Sequence, residues 1–192
     1  MRSIFFDVDS QIDFLYPAGA LYVPGAEHIV PTIARLNRYA AAHGFPVIST
    51  TDAHAEDDIE FQQWPAHCVA GTIGQHKAEA TLLEKRVVVP NRDCDLALEG
   101  AQQIVVEKQH VDVFAACNLS RIVESLAADR FVVYGVVTEI CVLFAARGLL
   151  KYGKPLTIVT DAVAALSAEA SERALAEIRA AGGTLALASE VG

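Results

Sequence analysis

The sequence predicts an α/β fold, a mainly parallel sheet of about six strands with helices on both faces, and three observations predict it. Short β-branched or aromatic runs recur along the 192 residues, stretches of helical apolar period separate them, and turn-forming glycines close several of those stretches. Strand and helix alternating in this way wind into right-handed βαβ units, which make the strands parallel.

The first run, at 3–8, is almost wholly apolar and reads as a buried strand. After it, Ile29, Ile33, Leu36 and Ala40 share one helical face, and Gly44 suits the end of that helix. A second strand is expected at 46–50 and a third at 104–107. Asn118 is then a candidate N-cap for a helix that presents Leu119, Ile122, Val123 and Leu126 on one side. A fourth strand at 131–136 leads to Thr138, a second candidate cap, and to a helix closed by Gly153. The fifth strand is expected at 156–160. Ser167 is placed to cap a helix carrying Ala174, Leu175 and Ile178, Gly182 and Gly183 close it, and a sixth strand follows at 184–187. The stretch from 52 to about 86 breaks the pattern, with three histidines, one tryptophan and little periodicity. A long irregular insertion in a compact domain is usually functional or mobile. Neither a linker nor a repeat divides the chain, so 1–192 reads as one domain.

An apolar content of 53% with 20% charged residues excludes global disorder. The 15 Lys and Arg stand against 24 Asp and Glu, a formal charge of −9, and no basic cluster offsets it. Nucleic acid and anionic membranes are therefore poor partners. No apolar run approaches the ~20 residues that cross a bilayer. The opening MRSIFFDVD leaves no room for a secretory apolar region, and a cytoplasmic location is expected. Cys68, Cys94, Cys117 and Cys141 form no CxxC pair, which fits reduced thiols.

Ligands of open parallel sheets bind outside the carboxyl ends of the strands, so reactive residues there are the candidates. Asp9 follows the first strand, Asp52 and His54 the second, Lys108 the third, and Cys141 the fourth. Cys141 falls early in its helix, where free N–H groups and the helix dipole favour a thiolate; it is a nucleophile or a buried core cysteine. Asp9 and Lys108 would supply the proton acceptor and the cation that such a nucleophile needs, or else are a strand-end carboxylate and a surface lysine. Asp52, His54 and His67 offer one oxygen and two imidazole ligands, a set suited to zinc, iron or manganese, and Glu60 could complete it; loop histidines without a metal look the same. The FFDVDS block also permits a phosphatase built on Asp7 and Asp9, but a second acidic pair late in the chain is missing. A non-catalytic interaction protein on the same fold is the other alternative.

With both groups in view, the sequence resembles the isochorismatase-like cysteine hydrolases, and among them most the nicotinamidases. The resemblance spans nearly the whole chain. It rests on VDSQIDF at 8–14, DAH at 52–54, WPAHCVAGTIG at 64–74, EK at 107–108 and GVVTEICV at 135–142. It implies a Rossmann-like, three-layer α/β/α fold, a catalytic Asp9, Lys108 and Cys141, and an oxyanion hole from the backbone of Val137 and Cys141. It also implies a divalent metal, zinc with iron or manganese as alternatives, on Asp52, His54 and His67 with Glu60 as a further ligand. Phe14 and Trp64 would flank an aromatic ring, and Phe114 would replace the family's usual aromatic wall, because QHVDVFAACN departs from the pattern that commonly follows the lysine. A cis peptide between Val136 and Val137, a small-molecule amide substrate and a homo-oligomer are implied as well.

Overall fold

A computed structural model describes residues 2–191. Its sheet is wholly parallel and has seven strands, one more than expected: β1 (Ser3–Val8), β2 (Val47–Asp52), β3 (Arg86–Val89), β4 (Gln103–Lys108), β5 (Arg130–Val136), β6 (Leu156–Ala164) and β7 (Thr184–Ala186). They lie in the order β3-β4-β2-β1-β5-β6-β7. The additional strand is β3, which pairs with β4 from Arg86 opposite Gln103 to Val89 opposite Val106. Being a four-residue edge strand that buries only Val89 and runs into Pro90, it lacks the long apolar signature of the others.

Helices α1 (Ile12–Leu15), α2 (Val30–Ala42), α3 (Leu119–Leu126), α4 (Leu143–Leu150), α5 (Ala168–Ala180) and α6 (Ala188–Val191) cover both faces. Alternation along β1 divides the core. Ile4, Phe6 and Val8 pack with Leu119, Ile122 and Val123 of α3, Leu149 of α4 and Ile178 of α5. Phe5 packs on the opposite face with Ile33, Leu36 and Ala40 of α2 and Val191 of α6. Ile33 and Leu36 are fully buried, and each such side chain stabilises the fold by about 1.5–3 kcal/mol. This is the three-layer α/β/α arrangement that the sequence predicts. Among the described residues no helix is long and apolar enough to cross a membrane.

The caps divide. Ser167 Oγ accepts from the Ala170 N–H at 3.3 Å, as its position suggests. Asn118 precedes α3 and Thr138 is already the first residue of its helical turn, and neither caps, because each side chain is drawn across the fold. Asn118 Nδ2 donates to the carbonyls of Pro90 and Arg92 (3.3 and 2.7 Å), and Thr138 Oγ1 donates to that of Ala164 (2.9 Å).

With β1 at the centre, flanked by β2 and β5, and β4 beyond β2, the carboxyl ends of four neighbouring strands form one rim. Gly135 in β5 lets that rim close: its φ is +120°, and a Cβ there would come within 2.0 Å of the Val8 carbonyl oxygen. The Val136–Val137 peptide that follows is cis.

Candidate active site

Asp9 is the first residue past β1, Asp52 and Lys108 are the last residues of β2 and β4, and Cys141 lies in a five-residue π-helical turn, Thr138–Val142, ahead of α4. All four are buried. Asp9 adopts φ +47°, a left-handed conformation that Asp tolerates better than most residues. Thr50 fixes it there: the Asp9 N–H donates to the Thr50 carbonyl (3.2 Å), and the Thr50 hydroxyl donates to Asp9 Oδ1 (2.6 Å). The other oxygen, Oδ2, faces Lys108 Nζ at 3.0 Å. Lys108 Nζ is also 3.8 Å from Cys141 Sγ and 2.5 Å from Asp52 Oδ1. One buried ammonium thus joins Asp9, Cys141 and Asp52.

Burial opposes the charge on Lys108, but the Asp52 and Asp9 carboxylates outweigh it and hold the ammonium well above its usual pKa. Burial pushes the Cys141 thiol well above its ordinary value; Lys108 pulls it down, while Asp9 and Asp52 push it further up. The thiolate favoured by an early helical position is therefore overruled. Cys141 rests as a thiol, with its sulfur facing Lys108 Nζ.

Burial likewise raises Asp52, to about 6, although Lys108 counteracts it. A carboxyl whose pKa is higher folded than unfolded binds more protons in the native state, so its contribution to stability falls as pH rises from its unfolded pKa to its folded one. In metal-free protein, Asp52→Asn removes this penalty. The stability difference between variant and wild type should move in the variant's favour by on the order of 3 kcal/mol from about pH 4 to about pH 6, then level off. Urea unfolding of both proteins across that range checks it, and a flat difference would refute it.

Beside this group, Asp52, His54 and His67 place one potential ligand atom each within 4.8 Å of one another. His54 Nε2 is buried without a hydrogen-bond partner, an arrangement that is costly unless a cation takes its lone pair. His67 Nδ1 lies 2.7 Å from the Pro65 carbonyl, which places its proton on Nδ1 and leaves Nε2 as the donor atom. Burial lowers the His67 pKa, favouring the neutral, ligating form. One oxygen and two nitrogens fit a divalent ion of the zinc type. Glu60 borders the trio, with Oε1 at 3.9 Å from His67 Nε2 and 4.0 Å from His54 Nε2.

A cavity lies over both groups, with Asp9, Cys141, Asp52, His67 and Glu60 on its polar side. Its apolar wall contains Phe14, Trp64, Val111, Val137, Ile140 and Leu166. Phe114 is a correction to the sequence reading, because it is absent from this wall. It packs in the space left by Gly148 of α4, where a Cβ would come within 2.1 Å of its ring, and 6.1 Å from the Tyr152 ring. Val111 stands nearer the cavity instead. Asp7, the first residue of the alternative phosphatase pair, is also elsewhere: it is buried against Lys77 Nζ at 2.9 Å, Ser10 Oγ at 2.7 Å and Asn37 Nδ2 at 2.9 Å.

Four supporting side chains escape the sequence reading. Gln11 brackets Asp52, accepting from its N–H at 2.7 Å and donating to its carbonyl at 2.8 Å. Asp13 accepts from the Cys68 N–H at 2.7 Å and from the Ala20 N–H at 2.9 Å, tying two loops to α1. Glu139 Oε1 accepts from the N–H groups of Leu166 and Ser167 at 3.0 and 3.1 Å, fastening the cavity lip to the turn of Cys141. Asp58 Oδ2 lies 3.0 Å from His54 Nδ1. Gln11 and Asp13 stand inside the VDSQIDF block, which was the available signal for them; Asp58 has only its four-residue spacing from His54.

A family model for the isochorismatase domain matches residues 3–190. A nicotinamidase of Escherichia coli is 24% identical over 199 residues, covering 93% of this chain and 91% of the relative. The solved nicotinamidase of Bacillus subtilis superposes with a TM-score of 0.84 at 26% identity, over 97% of this chain and 99% of that one. A pyrazinamidase of Pyrococcus horikoshii, solved in complex with zinc, gives a TM-score of 0.81 at 28% identity, again over 97% and 99%.

Proposed function

The chain belongs to the isochorismatase domain family and hydrolyses an amide C–N bond; from that premise we propose that it does so through Cys141, on a small neutral aromatic amide, with nicotinamide converted to nicotinate and ammonia. The observation that carries this reading is the contact of Lys108 with Asp9, Cys141 and Asp52 at the polar side of an apolar-walled cavity.

In the proposed reaction Asp9 takes the proton from Cys141 Sγ as the sulfur attacks the carboxamide carbon, so the thiolate exists only when the substrate is in place. Lys108 faces both groups and stabilises the negative charge as it passes from one to the other. The backbone N–H groups of Val137 and Cys141 hold the oxyanion, a contribution of about 3–4 kcal/mol for a good donor. Asp9 then protonates the leaving nitrogen, ammonia departs, and a thioester remains on Cys141. Asp9 next takes a proton from water, whose oxygen attacks the thioester; the proton returns to Cys141 as the carbon–sulfur bond breaks, and the acid leaves, losing its remaining proton to solvent to become nicotinate. Phe14 and Trp64 flank the ring.

A divalent ion held by Asp52, His54 and His67, with Glu60 at its edge, would anchor the ring nitrogen as a Lewis acid. Zinc fits these donors best, and iron or manganese are the alternatives. The cavity wall includes the carboxyl groups of Asp9, Asp52 and Glu60, and Lys108 behind it is already paired with Asp9 and Asp52, which supports a neutral amide over a dianion such as isochorismate or a carboxylate-bearing carbamoyl compound.

Ammonia release from nicotinamide by metal-replete protein, compared with carbamoyl compounds and isochorismate, tests the reading. Metal removal separates the two groups of residues. Chelation should raise KM for nicotinamide at least tenfold while alkylation of Cys141 by iodoacetamide changes less than threefold. Equal nicotinamide kinetics with and without metal would overturn the anchoring role.

A further inference from the structure

The two ring nitrogens of His54 have different surroundings. Nε2 is buried without a hydrogen-bond partner and lies 3.8 Å from Asp52 Oδ1, on the side of His67. Nδ1 lies 3.0 Å from Asp58 Oδ2. A neutral imidazole carries one hydrogen, and a carboxylate at Nδ1 draws it there, leaving the Nε2 lone pair for a cation. His67 is oriented in the same sense by the neutral Pro65 carbonyl. Only His54, of the two, has a charged orienting group.

The second oxygen of Asp58 is also occupied. Oδ1 accepts from the Glu60 N–H at 2.9 Å, so Asp58 caps the 3-10 turn Ile59–Gln62 in which Glu60 stands. Glu60 Oε1 in turn lies within 4.0 Å of both histidine Nε2 atoms. A single carboxylate therefore sets the tautomer of one donor and the backbone position of the group bordering it. The arrangement is stiff, because the Asp58 side chain is only 12% exposed and His54 is fully buried.

We propose that Asp58 is a positioning residue of the metal centre: through His54 Nδ1 it presents Nε2 to the ion, and through the Glu60 N–H it holds Glu60 at the edge of the same site. The proposal rests on the reading of Asp52, His54 and His67 as metal ligands. It commits Asp58 to metal affinity and not to the chemistry at Cys141.

The test is zinc affinity of the full-length protein, measured by competition with a chromophoric chelator. Wild type, Asp58→Ala and Asp58→Asn are compared, each verified as folded by circular dichroism. Loss of a group that orients a ligand costs about 10- to 100-fold in metal affinity. Asp58→Ala should fall in that range. Asp58→Asn, with one oxygen to serve either His54 or Glu60, should lie between alanine and wild type. The rate of Cys141 alkylation in metal-free protein should stay within threefold in both variants. If Asp58→Ala binds zinc within twofold of wild type, the proposal is overturned while the metal reading stands. Full affinity in Asp58→Asn beside a loss in Asp58→Ala would also overturn it, since turn capping alone would then account for Asp58. A wild type that binds no zinc at micromolar concentration removes both the ligand assignment and the proposal.

Discussion

Replacing Cys141 by alanine should lower ammonia release from nicotinamide by about 10,000-fold or more, because no other group near the amide carbon can form the acyl intermediate. The substitution removes one sulfur from a small buried residue, so the fold should survive it. Asp9 keeps its hydrogen bond from Thr50 and its contact with Lys108. Thermal unfolding should therefore remain within a few degrees of wild type, which separates lost chemistry from lost structure. Cys68, the other buried thiol, is no substitute: burial raises its pKa strongly, and its sulfur lies 3.8 Å from the Gly74 carbonyl. An alanine variant that retains more than a tenth of wild-type turnover would exclude Cys141 as the nucleophile.

Lys108→Met should be the most destabilising single change at the site, by about 3–5 kcal/mol in urea unfolding at neutral pH. Methionine fills similar volume, so the loss is of charge rather than packing. It strands the Asp9 and Asp52 carboxylates, both buried, beside each other without their shared cation. The same change removes the one influence that lowers the Cys141 thiol pKa, so turnover should collapse as well. Lys108→Met combined with Asp52→Asn should recover part of the stability but none of the turnover, since one stranded charge is gone while Asp9 remains unpaired. A single variant within 1 kcal/mol of wild type would contradict this balance of charges.

The rim of the sheet was legible because position along a strand decides it. Asp9, Asp52 and Lys108 are read from where their apolar runs stop, and β1, β2 and β4 are neighbours that bring those stops together. Cys141 was legible as a position but not as a charge state. Whether it rests as thiol or thiolate depends on burial and on two carboxylates distant in sequence, and these defeat the local effect of an early helical turn. Phe114 shows a different limit. Its direction is set by the vacancy at Gly148, on a helix far along the chain, which the local stretch QHVDVFAACN does not reveal. Asn118 and Thr138 obey the same rule, each diverted from its cap by a carbonyl on another element. Strand β3 was missed because an edge strand buries too little to need a long apolar run.

The π-helical turn that carries Cys141 is a constraint of length as well as of side chain. The Val142 N–H reaches back to the Val137 carbonyl, so the loop it closes holds one residue more than an α-helical turn would. Removing any one residue between 138 and 140 would let the segment close as an ordinary helix, turning Cys141 by about 100° relative to the residues before it. Away from Thr138, Glu139 and Cys141, side chains within the turn can be exchanged one at a time with local effects. The number of residues in it cannot, so a single-codon deletion here acts on the geometry of the whole site at once.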